Sequence, residues 1–206
     1  MPYLQLTKMM KNEIINVITR THREDYFGVC RESVLSQTYP LVNHIVGSDR
    51  PIVYHPEYTM LYKDVRVPMY TPPNHYFAPW NLHLNTLATQ CADGWVCYLD
   101  DDDMFTSVES LQILANHIDD EDAMMVWKVA ITPHWIVPNK SFGKTITAGD
   151  FSGIGFAFHT KHLPVDWGFY SYGDYRVATQ LLKKGLKPVW INQVLTQTQQ
   201  GAHNGR

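Results

Sequence analysis

Apolar residues occur along this chain in two kinds of run, short continuous ones and longer ones with helical spacing, and the two kinds alternate. The run Ile14, Ile15, Asn16, Val17, Ile18, Thr19 is rich in β-branched residues and predicts a strand buried on both faces. It ends in the polar stretch Arg20, Thr21, His22, Arg23. Over residues 25–37, Phe27, Cys30, Val34 and Leu35 fall on one helical face, and Tyr39-Pro40 closes the segment. A second short strand is expected over 41–47, ending at Ser48 and Asp49. Strand, helix, strand in this order predicts a βαβ unit, with parallel strands and with loops gathered at their C-terminal ends.

Residues 50–79 are rich in proline, tyrosine and histidine and read as irregular surface, with one strand candidate at 65–69. Over 79–91 a helix is expected to carry Trp80, Leu84, Leu87, Ala88 and Cys91, with Pro79 tolerated in its first turn. Asp93-Gly94 then turns the chain into an apolar strand at 95–99 that runs directly into Asp100, Asp101, Asp102 and Asp103. Thr106 and Glu109 have the spacing of a capping box and predict a helix bearing Val108, Leu111, Leu114, Ala115 and Ile118. Strands are expected at 124–131 and 155–158, then a helix over 174–184 ended by Gly185, and a short strand at 188–191. Residues 197–206 read as a polar, flexible tail that could fold over a site.

With 206 residues, 45% of them hydrophobic and 13% aromatic, the chain is long enough for one sizeable core and short for two. The pattern predicts a single α/β domain with a mostly parallel central sheet flanked by helices. The formal net charge of -3 gives no global basic footprint, so nucleic acid as a bulk partner is disfavoured. Cys30, Cys91 and Cys97 are odd in number and form no CxxC pair, and are expected to be reduced core thiols. Lys8 and Lys11 precede no signal-like apolar run, and no stretch approaches the roughly 18 apolar residues of a membrane span. A soluble, cytoplasmic protein is expected.

The aspartate run is the most informative chemistry. An apolar strand emptying into four carboxylates sets like charges within a few ångströms of one another, a conflict that a bound cation resolves. All-oxygen ligands favour Mg2+ or Mn2+, which commonly bridge carboxylates to a substrate diphosphate. Simple capping of the following helix needs fewer acids. An EF-hand calcium loop fails because Phe105 stands where the glycine must be. A phosphohydrolase with a DxD strand end remains an alternative, although Met104 occupies a position that class fills with Thr or Val.

With these residues in place, the chain resembles the family 2-like glycosyltransferases of the A-type, Rossmann-like fold, in which a strand ends in Leu-Asp-x-Asp-Asp. Here that motif is Leu99, Asp100, Asp101, Asp102, Asp103. Residues 14–23 resemble the family's opening strand and nucleotide-binding loop, and 33–40, Ser-Val-Leu-Ser-Gln-Thr-Tyr-Pro, resemble its Ser-Val-x-x-Gln-Thr-Tyr-Pro. Asp49 falls where an acid contacts the donor base. Asn85 stands where the family has the asparagine of an Arg-Asn pair, with Leu84 in place of the arginine. Residues 153–159 resemble the acceptor-side strand, and Gly173-Asp174 stand in place of Glu-Asp. The resemblance implies a nucleotide-sugar-binding half over about 14–103 and an acceptor-side half over about 104–196.

It further implies a nucleotide-diphosphate sugar donor, by default a uridine one, and an acceptor hydroxyl on an unidentified glycan, lipid, protein or modified nucleotide. Thr19, Arg20, Thr21, Asp49, Asn85, Asp100 and Asp101 become the expected donor contacts, with Arg20 on phosphate. Asp102, with Asp100 and a late histidine, His203, become the expected metal ligands. Asp174 becomes the expected base of an inverting transfer; as a helix-start aspartate it also reads as an N-cap. Trp80, Trp95, Trp127 and Trp190 are expected in the core. Tyr76, Phe77, Trp135, Trp167 and Tyr170 are expected near loops, where they could stack on sugar or base. Two other classes stay open at this point: a nucleotidyltransferase or phosphohydrolase using the same acids, and a non-catalytic sugar-nucleotide-binding module.

Overall fold

The computed structural model describes residues 13–52, 58–61 and 76–201. In chain order the elements are β1 (Ile14–Thr21), α1 (Glu24–Leu35), β2 (Val42–Ser48), β3 (Thr59–Met60), α2 (Asn81–Ala88), β4 (Gly94–Tyr98) and β5 (Asp103–Phe105). They continue with α3 (Ser110–His117), β6 (Ala123–Thr132), β7 (Trp135–Val137), β8 (Phe156–His159), a 3-10 turn at Thr160–His162, α4 (Gly173–Lys183) and β9 (Lys187–Thr198). The strands form one sheet in the order β3-β2-β1-β4-β8-β6-β9-β5, with β7 on β6. β3, β2, β1 and β4 run parallel, as do β6 and β9, while β8, β5 and β7 run against their neighbours.

The sheet is covered on both faces, which explains why its central strands read as continuous apolar runs rather than alternating ones. Ile15, Val17, Trp95, Cys97, Met125 and Trp127 pack on one face with Cys30 and Val34 of α1 and Leu111 and Leu114 of α3. Ile18, Val96, Tyr98, Met124, Val126 and Phe156 pack on the other with Leu84 and Leu87 of α2 and Val177, Ala178 and Leu181 of α4. Burying a side chain such as Leu87 or Leu181 contributes on the order of 1.5–3 kcal/mol, so each helix is held by two or three such anchors. The three cysteines are free, and burial pushes the thiols of Cys91 and Cys97 up to about 12. They are unreactive packing groups, as expected from their number and spacing.

Several expectations need correction. Leu35 is exposed at the end of α1, where Ser33 takes the inward position instead. Trp80 is 46% exposed ahead of α2, and Trp167 is buried in the core rather than lying at a loop surface. The capping box is not formed: α3 starts at Ser110, and the Thr106 hydroxyl donates instead to Val194 O at 2.7 Å across the sheet. The strand expected at 188–191 is twelve residues long, because β9 pairs first with β6 and then with β5. Gln197 and Thr198, assigned to a flexible tail, close that strand. The strand candidate at 65–69 lies outside the described residues.

Candidate active site

Parallel strands end their loops on one side of the sheet, and β1, β2 and β4 bring three polar segments together there. β4 releases the chain at Tyr98 into Leu99 and the four aspartates, and β5 begins on the last of them. Asp101, Asp102 and Asp103 are buried, and Asp100 is partly exposed. One carboxylate oxygen from each of Asp100, Asp102 and Asp103 can be chosen so that all three lie within 4.8 Å of one another. No other group of acids, histidines or cysteines converges in this way among the described residues. A hard divalent cation takes such an all-carboxylate set, so the residues present fit Mg2+ or Mn2+. Asp103 belongs to this group although the sequence reading did not assign it a ligand role.

Asp101 faces elsewhere. Its carboxylate accepts from Thr21 Oγ1 at 3.0 Å, from the His22 main-chain N–H at 3.2 Å and from Arg23 Nε at 3.3 Å, with a further short contact from Arg23 Nη2. Arg23 Nη2 also lies 2.9 Å from Asp102. Burial works against the Arg23 charge, but the bonds to Asp101 and Asp102 outweigh it and raise the guanidinium pKa. Arg20 forms a second, two-pronged pair with Asp100, through Nε at 3.1 Å and Nη2 at 3.4 Å. Arg20 near the end of β1 and Arg23 just before α1 thus offset part of the charge of four aspartates after β4, which lets these acids sit buried and close together.

Arg20, Thr21, Asp100 and Asp101 therefore come together, as do Asp100 and Asp102. Thr19 does not join them. It is fully buried, with its hydroxyl 3.0 Å from His44 Nε2. Asn85 is likewise committed: Nδ2 donates to Asp166 at 3.1 Å and Oδ1 accepts from Trp167 N at 3.0 Å. That pair of bonds ties α2 to the segment before α4. Asp49 follows directly on the end of β2, with its side chain mostly buried and Arg50 Nε 3.8 Å away. His203 lies outside the described residues.

Asp174 sits in the first turn of α4. The residue before the helix is Tyr172, in the left-handed region at φ 61°, with no side-chain cap bond, so Asp174 is not the N-cap. Its Oδ1 accepts the Tyr175 N–H at 2.7 Å. Burial pushes this carboxyl up to about 6, the N–H bond opposes the shift, and the charge of Asp100 adds to it. A Cβ on Gly173 would meet Asn81 Nδ2 at 2.7 Å and Trp167 at 3.0 Å, so glycine stands there because Trp167 and Asn81 fill the space of a longer side chain. Arg176 fastens the approach to α4 through the Trp167 carbonyl at 2.6 Å and the Ser171 carbonyl at 3.4 Å. Beside it, residues 76–78 pair with 169–171, with Phe77 stacked on Tyr170 and Tyr76 exposed.

Gln199 was also missed by sequence reasoning. Its main-chain N–H donates to Asp102 O at 2.8 Å. Its amide Nε2 lies 3.0, 3.1 and 3.3 Å from the carbonyls of Tyr26, Asp101 and Asp103, so that its two N–H groups serve three acceptors with one of them shared. No sequence signal marks it, since one glutamine among Gln197, Gln199 and Gln200 looks like any tail residue. Arg23 could have been found: it is the second arginine of the polar stretch Arg20 to Arg23, which meets an acidic strand end.

No protein-family model and no curated protein matches the sequence. Solved structures do match its fold. The chain is similar to S. aureus TarS residues 1–349, with a TM-score of 0.67 at 15% identity, covering 90% of this chain and 60% of that one. The same protein in complex with UDP-GlcNAc matches with a TM-score of 0.62 at 15% identity over 91% of this chain and 58% of that one. The mannosyltransferase PcManGT from Pyrobaculum calidifontis, in complex with GDP-Man and Mn2+, matches with a TM-score of 0.62 at 14% identity, over 93% of this chain and 58% of that one. The chain thus spans under two thirds of the length of these proteins. At such identities the likeness establishes the fold, a single α/β domain of the glycosyltransferase A type. No helix among the described residues is long and apolar enough to cross a membrane.

Proposed function

We propose that this protein transfers a sugar from a nucleotide-diphosphate donor to an acceptor hydroxyl, with a divalent cation, Mn2+ or Mg2+, held by Asp100, Asp102 and Asp103. The observation that carries this reading is the convergence of those three carboxylates within 4.8 Å on this fold, with a fourth acid nearby whose proton affinity is raised. When bound, the cation supplies electrostatic stabilisation of the departing diphosphate. Arg20, paired with Asp100 at the rim of the cluster, adds positive charge on the phosphate side. Asp49, at the end of β2, takes the donor base.

Asp174 acts as the base. In an inverting transfer the acceptor oxygen forms its bond to the anomeric carbon while the bond from that carbon to the diphosphate oxygen breaks. The hydroxyl proton passes to the Asp174 carboxylate, and the bonding pair leaves with the nucleoside diphosphate. A pKa of about 6 suits this task, because the group is largely ionised at neutral pH yet holds a proton better than an ordinary carboxylate. UDP-sugars are the default donors, with GDP-mannose the first competitor, since both kinds of donor occur in complexes of proteins with this fold. The test is incubation with Mn2+ and a panel of nucleotide sugars. Slow, chelator-sensitive release of nucleoside diphosphate is the expected result. Phosphate release from simple monoesters, with no response to any nucleotide sugar, would point to a phosphohydrolase instead.

A further inference from the structure

We infer that Gln199 is a positioning residue for the cation site, one that sets the shape of the aspartate loop from the C-terminal end of β9. The inference rests on reading Asp100, Asp102 and Asp103 as cation ligands. It starts from a difficulty that the loop poses. Four successive carboxylates repel one another, and three of them are buried. The arginines partly neutralise the acid side chains, but they do not fix the main chain from which those side chains project. Ligand oxygens must be held within a few tenths of an ångström to bind a cation well, so the loop backbone needs its own restraint.

Gln199 supplies it. The end of β9 pairs antiparallel with β5, Thr198 opposite Asp103 and Gln197 opposite Met104, which carries the next residue across the loop. There the Gln199 N–H bonds Asp102 O at 2.8 Å, while its side-chain amide reaches the carbonyls of Asp101 at 3.1 Å and Asp103 at 3.3 Å. Three consecutive carbonyls of the acidic loop are thus bonded by a single residue. The same amide donates to Tyr26 O at 3.0 Å, and the Arg23 guanidinium lies 5.2 Å from the centre of the Tyr26 ring. Because Arg23 grips Asp101 and Asp102, the aspartate side chains are held from the residue before α1 and the loop carbonyls from the residue after β9. The partners of Nε2 are carbonyls, which can only accept, so the side chain at this position must be a hydrogen-bond donor.

The experiment uses the whole chain and Mn2+ alone. Gln199→Met keeps the length and removes the donors, Gln199→His keeps one ring N–H, and Gln180→Met removes a comparable bond, to Asp166 O, far along the chain from the acids. Mn2+ affinity is measured by calorimetry, and folding by circular dichroism and melting temperature. Loss of an outer-shell partner of a metal site weakens binding roughly 10- to 100-fold, which is the expectation for folded Gln199→Met. Gln199→His should fall between it and wild type, and Gln180→Met should lower the melting temperature with Mn2+ affinity unchanged. Wild-type Mn2+ affinity in Gln199→Met would overturn the inference and leave the metal site standing. Absence of Mn2+ binding by the wild-type protein would remove the metal site itself, and the inference with it.

Discussion

Asp101 and Asp174 are both drawn into the same acid-lined end of the sheet, and the fold treats them in opposite ways. Asp101, with a side chain only 4% exposed, is met by Thr21, by the His22 N–H and by both prongs of Arg23. Asp174 receives the Tyr175 N–H, while Arg176, two residues on, is turned onto the carbonyls of Trp167 and Ser171. Burial together with the charge of Asp100 then lifts Asp174 to about 6. Both acids are close to arginines in sequence or space, but only Asp101 is hydrogen-bonded by one. An acid buried with little to offset its charge is a group that can exchange a proton near neutral pH.

The largest way to break this contrast is to remove the partner of Asp101. Arg23→Ala leaves a buried carboxylate without its cation, and should lower stability by about 3–5 kcal/mol in urea unfolding. Arg23→Lys should recover part of the loss, and wild-type stability in Arg23→Ala would show that the pair contributes nothing. Next in size is Asp174→Asn. Transfer should fall roughly 100-fold, about 2.7 kcal/mol in the barrier, with donor binding retained. Its stability should respond in the sense opposite to ordinary acids. The folded state holds the Asp174 proton up to about pH 6 and the unfolded chain releases it near 3.8, so ionisation costs the folded state stability as pH rises through that window. Asp174→Asn should therefore melt no lower than wild type at pH 7, and the transfer rate of the wild type should climb as pH passes about 6. A rate already at its plateau at pH 5, or a large drop in melting temperature, would remove Asp174 as the base. The smallest effect belongs to Asp49→Ala, away from both acids: nucleoside diphosphate should bind roughly tenfold more weakly, about 1.4 kcal/mol, with Mn2+ affinity unchanged. Equal nucleotide affinity in the two proteins would take Asp49 out of the donor site.

The parts of the molecule that were legible in the sequence are those where local pattern and burial agree. β1 and β4 are apolar runs covered on both faces, α4 carries a clear inward stripe, and the acids follow a strand end as read. The parts that were not legible depend on distant partners. Thr106 gave up a capping role because the Val194 carbonyl is within reach across the sheet. The second half of β9 is polar in sequence, yet it is a strand because β5 pairs with it. Thr19 and Asn85 sit at positions where the family resemblance implies donor contacts, but here their polar atoms meet His44, Asp166 and Trp167. Arg23 and Gln199 acquire their meaning only once the aspartate loop is folded against them.

The most direct test of the account is titration of UDP and of GDP into wild-type protein and Asp102→Asn, each with Mn2+ and with chelator. The account predicts that the wild type binds at least one of the two nucleotides in Mn2+ and loses it in chelator. It predicts that folded Asp102→Asn, deprived of a charged ligand within the cluster of Asp100, Asp102 and Asp103, binds neither under either condition. Nucleotide binding that is indifferent to Mn2+, or that survives in Asp102→Asn at wild-type strength, would contradict it.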